Sequence, residues 1–172
     1  MIRKASEKDI AAVAEIYSLI HDREEVGLTT IGWIRSVYPT KETAENSVAK
    51  GELFVMEDDG VIVASARINQ IQDSMYADGN WEYPADDSQV MVLHTLTVSP
   101  AVSHKGHGRE FVAFYENFAK EKGCHYLRMD TNERNVTARA MYKKLGYKEI
   151  GIVPCEFNGI KGVNLVLLEK KI

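Results

Sequence analysis

Two glycines, Gly106 and Gly108, stand in a loop between a strand-like run and a helix-like run. Such a loop can bind an anion, because backbone N–H groups at a helix N-terminus point toward the ligand and the helix dipole adds positive charge. Glycine carries no Cβ, so a phosphate group can approach the backbone closely. Lys105 and Arg109 add formal positive charge beside the glycines. These residue types in this order predict a loop that binds a phosphate or pyrophosphate group.

The common nucleotide-binding motifs do not fit this loop. A Walker loop requires Gly-Lys-Ser/Thr, and a dinucleotide-binding motif requires Gly-x-Gly-x-x-Gly near the start of a repeated strand-helix unit. Neither pattern is present in the sequence. Glycine also occurs in ordinary turns. The anion prediction therefore depends on context, namely a strand, Pro100, the glycine loop and then a helix.

Two side chains are candidates for moving protons. His94 lies in the apolar run "QVMVLHTLTV", and histidine ordinarily titrates near ~6.5, which suits a general base. Tyr142 follows Asn135 by seven residues, close to two helical turns, so both side chains can face one ligand. A histidine on an apolar strand or a tyrosine on an amphipathic helix can equally be a core residue. The residue types alone leave both interpretations open.

The composition limits the classes to which the protein can belong. A chain of 172 residues is long enough for a proper core and short for two domains, so residues 1–172 are expected to form a single domain. A content of 45% hydrophobic and 27% charged residues is typical of a soluble globular protein. The net charge is −4 and the basic residues are scattered, which argues against a nucleic-acid partner.

The sequence also argues against a membrane or metal-dependent protein. No apolar run approaches the ~18 residues of a membrane span, and the N-terminal "MIRKASEKDI" lacks the apolar core of a signal peptide. No membrane partner is expected, and the expected compartment is the cytoplasm. Cys124 and Cys155 lack metal-ligand spacing, so neither a disulfide framework nor a metal site is expected.

The hydrophobic periodicity alternates between strands and helices. A short N-terminal strand precedes a helix that starts at Ser6 and is expected to end near His21. Hairpin turns are predicted at Asp58-Asp59-Gly60 and at Asn158-Gly159. Further helices are predicted at about 40–49, 106–122 and 135–145, and further strands within 52–71, 89–98 and 126–130. This order predicts an α/β or α+β domain in which helices flank a mixed sheet.

Two longer motifs follow one another along the chain. Val98 to Pro100 lead into the loop from Ser103 to Gly108, and Asn135 to Tyr142 lead into Leu145 to Tyr147. Together they resemble the GNAT superfamily of acetyl-CoA-dependent N-acyltransferases. Its members carry Val-x-Pro, then Arg/Gln-x-x-Gly-x-Gly/Ala, and later Asn-x-x-Ala-x-x-x-Tyr before Leu-Gly-Phe/Tyr. The resemblance covers essentially the whole chain and implies a mixed, mostly antiparallel central sheet of about seven strands flanked by about four helices.

The resemblance implies acetyl-CoA as a cosubstrate and no metal. The pyrophosphate would lie over the glycine loop, and the pantetheine would lie in a gap between the strand ending at Val98 and the strand at 126–130. Ser103 departs from the usual Arg or Gln. Backbone N–H groups supply most anion contacts in such loops, so binding is expected to persist. The cofactor-binding residues implied are Leu96, Thr97, Val98, Ser103, His104, Lys105, Gly106, His107, Gly108, Arg109, Asn135, Ala138 and Tyr142.

The resemblance also implies roles for the two proton-carrying residues. Tyr142 would act as general acid toward the departing thiolate. Ordinary pKa values of ~8.5 for a thiol and ~10 for tyrosine make full transfer uphill by about 2 kcal/mol, so water can share the task. An amine of pKa ~10.4 requires about 4.6 kcal/mol to become neutral near pH ~7, so a base is useful. His94 stands four residues before Val98, where several GNAT enzymes present a base, and a chain of water molecules is the alternative.

The acceptor is expected to contact the variable segments, which are the region after the first helix and the loop from Asp73 to Ser88. Flat apolar walls and carboxylates in these segments would suit a cationic amine with an apolar body. The alternative is a solvated acidic loop with one tryptophan packed on the sheet. The predicted acceptor-binding residues are Trp33, Trp81, Glu82 and Tyr83.

The sequence therefore predicts an enzyme that acetylates a primary amine of a small molecule, whether metabolite, amino acid, polyamine or drug, by direct transfer. One alternative is acetylation of a protein N-terminus or lysine. Another is a non-catalytic sensor that binds acyl-CoA. A cysteine nucleophile is not indicated, since Cys124 has no neighbouring motif. The resemblance also makes a homodimer through the C-terminal strands plausible.

Overall fold

The computed structural model describes residues 1–102 and 105–172. Within them, one mixed sheet has the strand order β1-β2-β3-β4-β5-β7-β6. Neighbouring strands are antiparallel, except that β4 and β5 are parallel. The strands are β1 Ile2–Lys4, β2 Leu53–Asp58, β3 Val61–Asn69, β4 Val90–Val98, β5 Tyr126–Asn132, β6 Lys148–Phe157 and β7 Ile160–Lys171. The helices are α1 Ile10–Glu25, α2 Lys41–Ala49, α3 His107–Glu121 and α4 Val136–Lys144. The predicted fold class is confirmed.

Both predicted hairpin turns are confirmed. Asp59 and Gly60 join β2 to β3 with φ angles of 49° and 77°, and Asn158 and Gly159 join β6 to β7 with φ angles of 49° and 85°. Two consecutive residues at positive φ give a turn whose twist matches that of the flanking strands, and Asn, Asp and Gly adopt this conformation most readily. The local sequence is therefore sufficient to specify these two connections.

The first helix differs from the prediction at both ends. A short 3-10 turn, Glu7–Asp9, precedes α1, and the Asp9 carboxylate accepts the backbone N–H of Ser6 at 2.8 Å. Helix α1 continues to Glu25, beyond the predicted end near His21. The residues after His21 are good helix formers, and the chain leaves the helix only at Gly27, whose φ is 74°.

Helices cover both faces of the sheet. Helices α3 and α4 pack on one face, where Phe111, Tyr115 and Tyr142 join the largest apolar cluster. Helix α1 packs on the opposite face through Val13 and Tyr17, beside β2. The Tyr115 hydroxyl donates to the carbonyl oxygen of Met91 at 2.6 Å and lies 3.2 Å from that of Arg128, which ties β4 to β5 near their N-terminal ends. These layers fix the two central strands whose C-terminal ends form the site.

Candidate active site

The two parallel central strands separate partway along their length. Their pairing runs from Val90 opposite Tyr126 to Leu93 opposite Met129. Beyond that point β4 pairs only with β3 and β5 pairs with β7. The register of β3 against β4 shifts beside Thr95, whose φ of 52° is unusual for a threonine. This bulge bends β4 away from β5 and opens a gap between them.

A cavity of about 660 Å³, its open mouth included, occupies this gap. The C-terminal halves of β4 and β5 form two sides, the start of α4 a third, and the β6–β7 hairpin with the segment after α1 the rest. The lining residues are Ile31, Gly32, Trp33, Tyr38, Thr95, Leu96, Asp130, Thr131, Asn132, Asn135, Ala138, Tyr142, Phe157, Ile160, Val163 and Leu165.

Tyr142 lines this cavity from α4. Its side chain is buried, and its ring packs edge-on against Tyr147 with the centroids 5.9 Å apart. Among the described residues its hydroxyl has no hydrogen-bond partner. Burial and then the negative charge of Asp130 raise the pKa of Tyr142 well above its ordinary value. The phenol therefore stays protonated at neutral pH and can donate to an atom bound in the cavity.

Asp130 lines the same cavity from β5, and sequence reasoning did not single it out. Its carboxylate accepts the Tyr76 hydroxyl at 2.8 Å. The side chain keeps some solvent-accessible surface because it faces the cavity, yet enclosure by protein and the charge of Asp73 raise the pKa of Asp130 to about 7, against the lowering effect of Tyr76. The available signal in the sequence was the carboxylate at the end of the predicted strand "YLRMD". Strand β5 continues to Asn132, so Asp130 lies within the strand, where its side chain faces the cavity.

His94 lies beside the cavity and not among its lining residues. Its Nε2 is 2.8 Å from the side-chain oxygen of Asn69, and its Nδ1 is 3.5 Å from a carboxylate oxygen of Asp73. Burial acts to raise the pKa of Asp73, but the hydrogen bond and charge of His94 lower it overall. The bulge at Thr95 explains this position, because it places Thr95 and Leu96 against the cavity while His94 turns toward Asn69.

The glycine loop borders a second, open groove between the start of α3 and α4. Gly106 lines this groove with a φ of 89°, and a Cβ built on it would meet no atom of the described residues within 4 Å. A Cβ on Gly108 would lie 3.2 Å from the Met141 sulfur, so this glycine allows α3 and α4 to approach. Exposed Arg109 and Lys144 line the groove, and sequence reasoning had not included Lys144.

The other predicted cofactor residues have different surroundings. Ser103 and His104 lie outside the described residues, and Lys105 is exposed in a bend. His107 opens α3 with its ring buried, and its Nε2 is 3.9 Å from a carboxylate oxygen of Asp58. The buried Thr97 hydroxyl bonds to the Ser65 hydroxyl on β3 and so points away from the groove.

The remaining members of the set lie at the start of α4 and on β4. Asn135 caps α4 by accepting the backbone N–H of Ala138 at 3.2 Å, and both residues line the cavity. Leu96 also lines the cavity, whereas Val98 packs against the apolar cluster beneath α3. The structure thus brings Leu96, Asn135, Ala138 and Tyr142 together.

The predicted acceptor residues divide between two places. Trp33 lines the cavity. Trp81, Glu82 and Tyr83 do not, because the loop that carries them lies over the N-terminal half of β5. Glu82 pairs with Lys148. The Tyr83 ring packs against Tyr126, with the centroids 5.9 Å apart.

Trp81 instead packs against Tyr76, the residue whose hydroxyl donates a hydrogen bond to Asp130. Its Nε1 donates to the carbonyl oxygen of Tyr76 at 2.7 Å, and its ring packs against Tyr76 with the centroids 5.2 Å apart. On its other side the Arg128 guanidinium stacks 4.0 Å from the ring centroid. The acidic loop therefore acts as a strap that fixes Tyr76 against the carboxylate.

Residues 1–102 and 105–172 contain no group of three or more His, Cys, Asp or Glu side chains that could hold a metal ion. They also contain no helix long and apolar enough to cross a membrane.

The sequence and fold were compared with known proteins. An aminoglycoside N(6')-acetyltransferase type 1 from Salmonella typhimurium is 26% identical over 96 residues, which are 56% of this chain and 61% of that protein. The match thus spans less than two thirds of the relative. An acetyltransferase of the GNAT family from Streptococcus agalactiae is 22% identical with a TM-score of 0.84, covering 100% of this chain and 95% of that one. The yncA protein of Salmonella typhimurium, solved with its cofactor acetyl-CoA, is 20% identical with a TM-score of 0.68, covering 99% and 92%.

The two structures establish a shared fold. A sequence identity this low is not evidence for a shared substrate or activity. The sequence profile of the Acetyltransferase (GNAT) family matches residues 13–147, which is most of the chain. The matched span includes Gly106, Gly108 and α4, which border the groove and the cavity described above. The protein therefore belongs to the GNAT family of N-acetyltransferases.

Proposed function

We propose that this enzyme moves the acetyl group of acetyl-CoA directly to a primary amine of a small molecule, with both substrates bound together. One observation carries the proposal: Asp130 from β5 and Tyr142 from α4 line the same cavity, where β4 and β5 separate. A proton acceptor and a proton donor facing one space are what amine acetylation requires.

The residues of the groove and the strand gap fit acetyl-CoA, which supplies an activated acyl group as a thioester. The open side of Gly106 leaves room for a phosphate group, and exposed Arg109 and Lys144 supply positive charge. The β4 backbone beyond Leu93 is not paired with β5, so its amide groups are free on that side to bind an extended chain. The family match and the acetyl-CoA in the yncA structure support this choice of acyl donor.

Asp130 is the proposed proton acceptor. An amine attacks only after its lone pair is free, and neutralising a typical ammonium near pH ~7 costs about 4.6 kcal/mol. Enclosure by protein and the charge of Asp73 raise the pKa of Asp130 to about 7. A carboxylate with that pKa is partly ionised at neutral pH and holds a proton more strongly than an ordinary aspartate does.

Tyr142 is the proposed donor to the sulfur. Burial raises the pKa of Tyr142, so full proton transfer to a thiolate is less favourable than for a free tyrosine. Its main contribution is then a hydrogen bond that stabilises the departing thiolate, and solvent can complete the protonation. The C–N bond forms as the C–S bond breaks. The ammonium loses one proton to Asp130 before attack, and the nitrogen loses a second to solvent after attack. The departing thiolate receives one proton through Tyr142, which solvent then reprotonates.

His94 stays a competing candidate for the base. Its Nδ1 faces Asp73, whose charge in turn acts on Asp130, so a proton could leave the cavity through this side. Asp130 is the better supported base because it faces the cavity directly. Acetylation of a protein N-terminus or lysine, and acyl-CoA sensing without catalysis, are outcomes that the following experiment separates.

The test is acceptor-dependent release of CoA from acetyl-CoA across a panel of amines and one peptide, with products identified by mass spectrometry. We expect an N-acetylated small amine and a loss of about 100-fold or more in kcat/KM for Asp130→Asn. We expect His94→Ala to lose less than about tenfold. Modification of the peptide alone would favour a protein acceptor. Binding of acetyl-CoA without any acetylated product would overturn the proposal in favour of a sensor.

A further inference from the structure

The cavity is lined by two chemically different sets of side chains. Leu96, Asn135, Ala138 and Tyr142 come from β4 and α4, where the proposed thioester would lie. The second set is aromatic and aliphatic and comes from the segment after α1 and from the β6–β7 hairpin. Its members are Trp33, Tyr38, Phe157, Ile160, Val163 and Leu165. We call the part of the cavity that this second set lines the acceptor end.

Three aromatic rings form a continuous wall at the acceptor end. The Trp33 and Tyr38 rings are perpendicular with centroids 6.1 Å apart, and the Tyr38 and Phe157 rings meet at 80° with centroids 5.7 Å apart. The Tyr38 hydroxyl also hydrogen-bonds to the Thr95 hydroxyl on β4. Edge-to-face packing and this hydrogen bond fix the orientation of the wall.

The segment that carries Trp33 is held in place from outside the cavity. The Glu24 carboxylate accepts the backbone N–H groups of Ile31 at 2.8 Å and Gly32 at 2.7 Å. A Cβ on Gly32 would lie 2.5 Å from the Asn132 side-chain nitrogen, so this backbone is pressed directly against β5. The aromatic wall is therefore preformed, and a preformed flat apolar surface favours a flat apolar ligand.

One carboxylate faces the cavity directly, while Asp73 and Arg67 lie behind the lining and act on Asp130 and Tyr38. Among the described residues that line it, Asp130 is the only charged one. One ammonium group on an acceptor could pair with Asp130. A second would lose its water beside Trp33 and Phe157 without gaining a partner, which is unfavourable.

A carboxylate on the acceptor is also unfavourable. It would approach Asp130 as a like charge, and no described lining residue is basic. Exposed Arg134 lies at the rim, with its Nη2 3.1 Å from the position that a Gly32 Cβ would take. Arg134 is the side chain to examine if an amino acid proves to be the better acceptor.

We propose that the acceptor is a primary monoamine on a flat, uncharged apolar body, of the arylalkylamine type. The inference rests on the proposed function and narrows its acceptor. Polyamines and aminoglycosides lie outside this class because they carry several ammonium groups. Amino acids lie outside it because they carry a carboxylate next to the amine.

The test compares kcat/KM for 2-phenylethylamine, phenylalanine, spermidine and kanamycin at one saturating acetyl-CoA concentration. Phenylethylamine and phenylalanine differ only by the carboxylate. We expect phenylethylamine to exceed each of the others by about 100-fold or more. A kcat/KM for any of the other three within about tenfold of it would overturn the inference and leave the proposed function standing. If no amine is acetylated although acetyl-CoA binds, both the acceptor class and the proposed function are wrong.

Two matched variants test the wall itself. We expect Trp33→Leu to lower kcat/KM for phenylethylamine by about tenfold and that for propylamine by less than about threefold, because propylamine does not reach the wall. Phe118→Leu removes a half-buried aromatic ring that packs on Phe54 near the C-terminal end of α3, outside the cavity, and should change neither by more than about twofold. Equal losses for both amines in Trp33→Leu, or an equal loss in Phe118→Leu, would contradict the placement of the acceptor.

Discussion

At the scale of single residues, a proposed proton donor and a proposed proton acceptor face one cavity. Tyr142 is held neutral by burial, which raises its pKa. Asp130 is about half-ionised near neutral pH, because enclosure by protein and the charge of Asp73 raise its pKa to about 7. Environments that assign one group as donor and another as acceptor near neutral pH are typical of acid–base sites.

The donor role of Tyr142 predicts a specific loss. Tyr142→Phe keeps the ring that packs against Tyr147 and removes only the hydroxyl. We expect kcat/KM to fall by at least about tenfold while the Kd of acetyl-CoA changes by less than about threefold. Steady-state kinetics and calorimetric binding measure the two quantities. A variant with wild-type kcat/KM would show that solvent alone protonates the thiolate.

The contacts of Asp130 predict opposite pH shifts in two variants. The Tyr76 hydroxyl lowers the pKa of Asp130 and the charge of Asp73 raises it. Tyr76→Phe should therefore move the acidic limb of the kcat/KM profile to higher pH, and Asp73→Asn should move it to lower pH. Near pH ~6.5 we expect Tyr76→Phe to lose roughly threefold in kcat/KM. Shifts in the same direction would show that the limb reports another group.

The sequence predicts the type of chemistry more directly than it predicts which side chains face the cavity. His94 fits every local criterion, being a histidine on a central strand just before the Val-x-Pro motif. Its position depends on the bulge at Thr95, a threonine with a φ of 52°. Nothing in the residue types predicts that bulge, since threonine normally favours regular strand conformation.

At the scale of elements, the start of α3 and the strap at residues 73–88 position the site. The strap was expected to contact the acceptor, with packing of one tryptophan on the sheet as the alternative. In the structure it fixes Tyr76 through Trp81 and Arg128. A buried arginine on β5 opposite an aromatic, acidic loop is a signal for such packing. This signal can be interpreted only when the pairing of the strands is known.

The left-handed glycine at the start of α3 provides a matched test of the groove. Gly106 and Gly123 flank the same helix and have φ angles of 89° and 75°. At both positions a Cβ would meet no described atom within 4 Å. Alanine at either should cost about 1 kcal/mol of folding free energy. We expect Gly106→Ala to weaken acetyl-CoA binding by about tenfold and Gly123→Ala by less than about twofold. Equal effects in calorimetry would mean that strain, and not the groove, determines the affinity.

At the scale of the whole molecule, the order of elements was predictable. Alternating periodicity, the two hairpin turns and the motifs around Gly106 and Asn135 were enough to place the chain in its family. The resemblance implied the gap between β4 and β5, but the other walls of the cavity were not predictable, because they come from segments far apart in sequence. Trp33, Asp130 and Phe157 meet only through the tertiary fold.

The burial of Asp130 also predicts that ionisation of its carboxyl group lowers the free energy of unfolding. The pKa of Asp130 is raised to about 7, so the folded state binds its proton more tightly than the unfolded chain does. Stability from this group is present below the unfolded pKa of ~3.9 and is lost as pH rises through about 7. We expect Asp130→Asn to gain stability over the wild type as pH rises, by as much as about 4 kcal/mol between pH ~4 and ~8. Denaturant unfolding at several pH values measures this gain, and a gain independent of pH would contradict the raised pKa.

The most direct test of the account is kcat/KM for Asp130→Asn beside its Kd for acetyl-CoA, with a small amine acceptor at pH ~8. We expect kcat/KM to fall by about 100-fold or more and the Kd to change by less than about threefold, because the carboxylate serves the amine and not the cofactor. A variant that retains more than about half of the wild-type kcat/KM would contradict the assignment of the cavity between β4 and β5 as the place where the amine loses its proton.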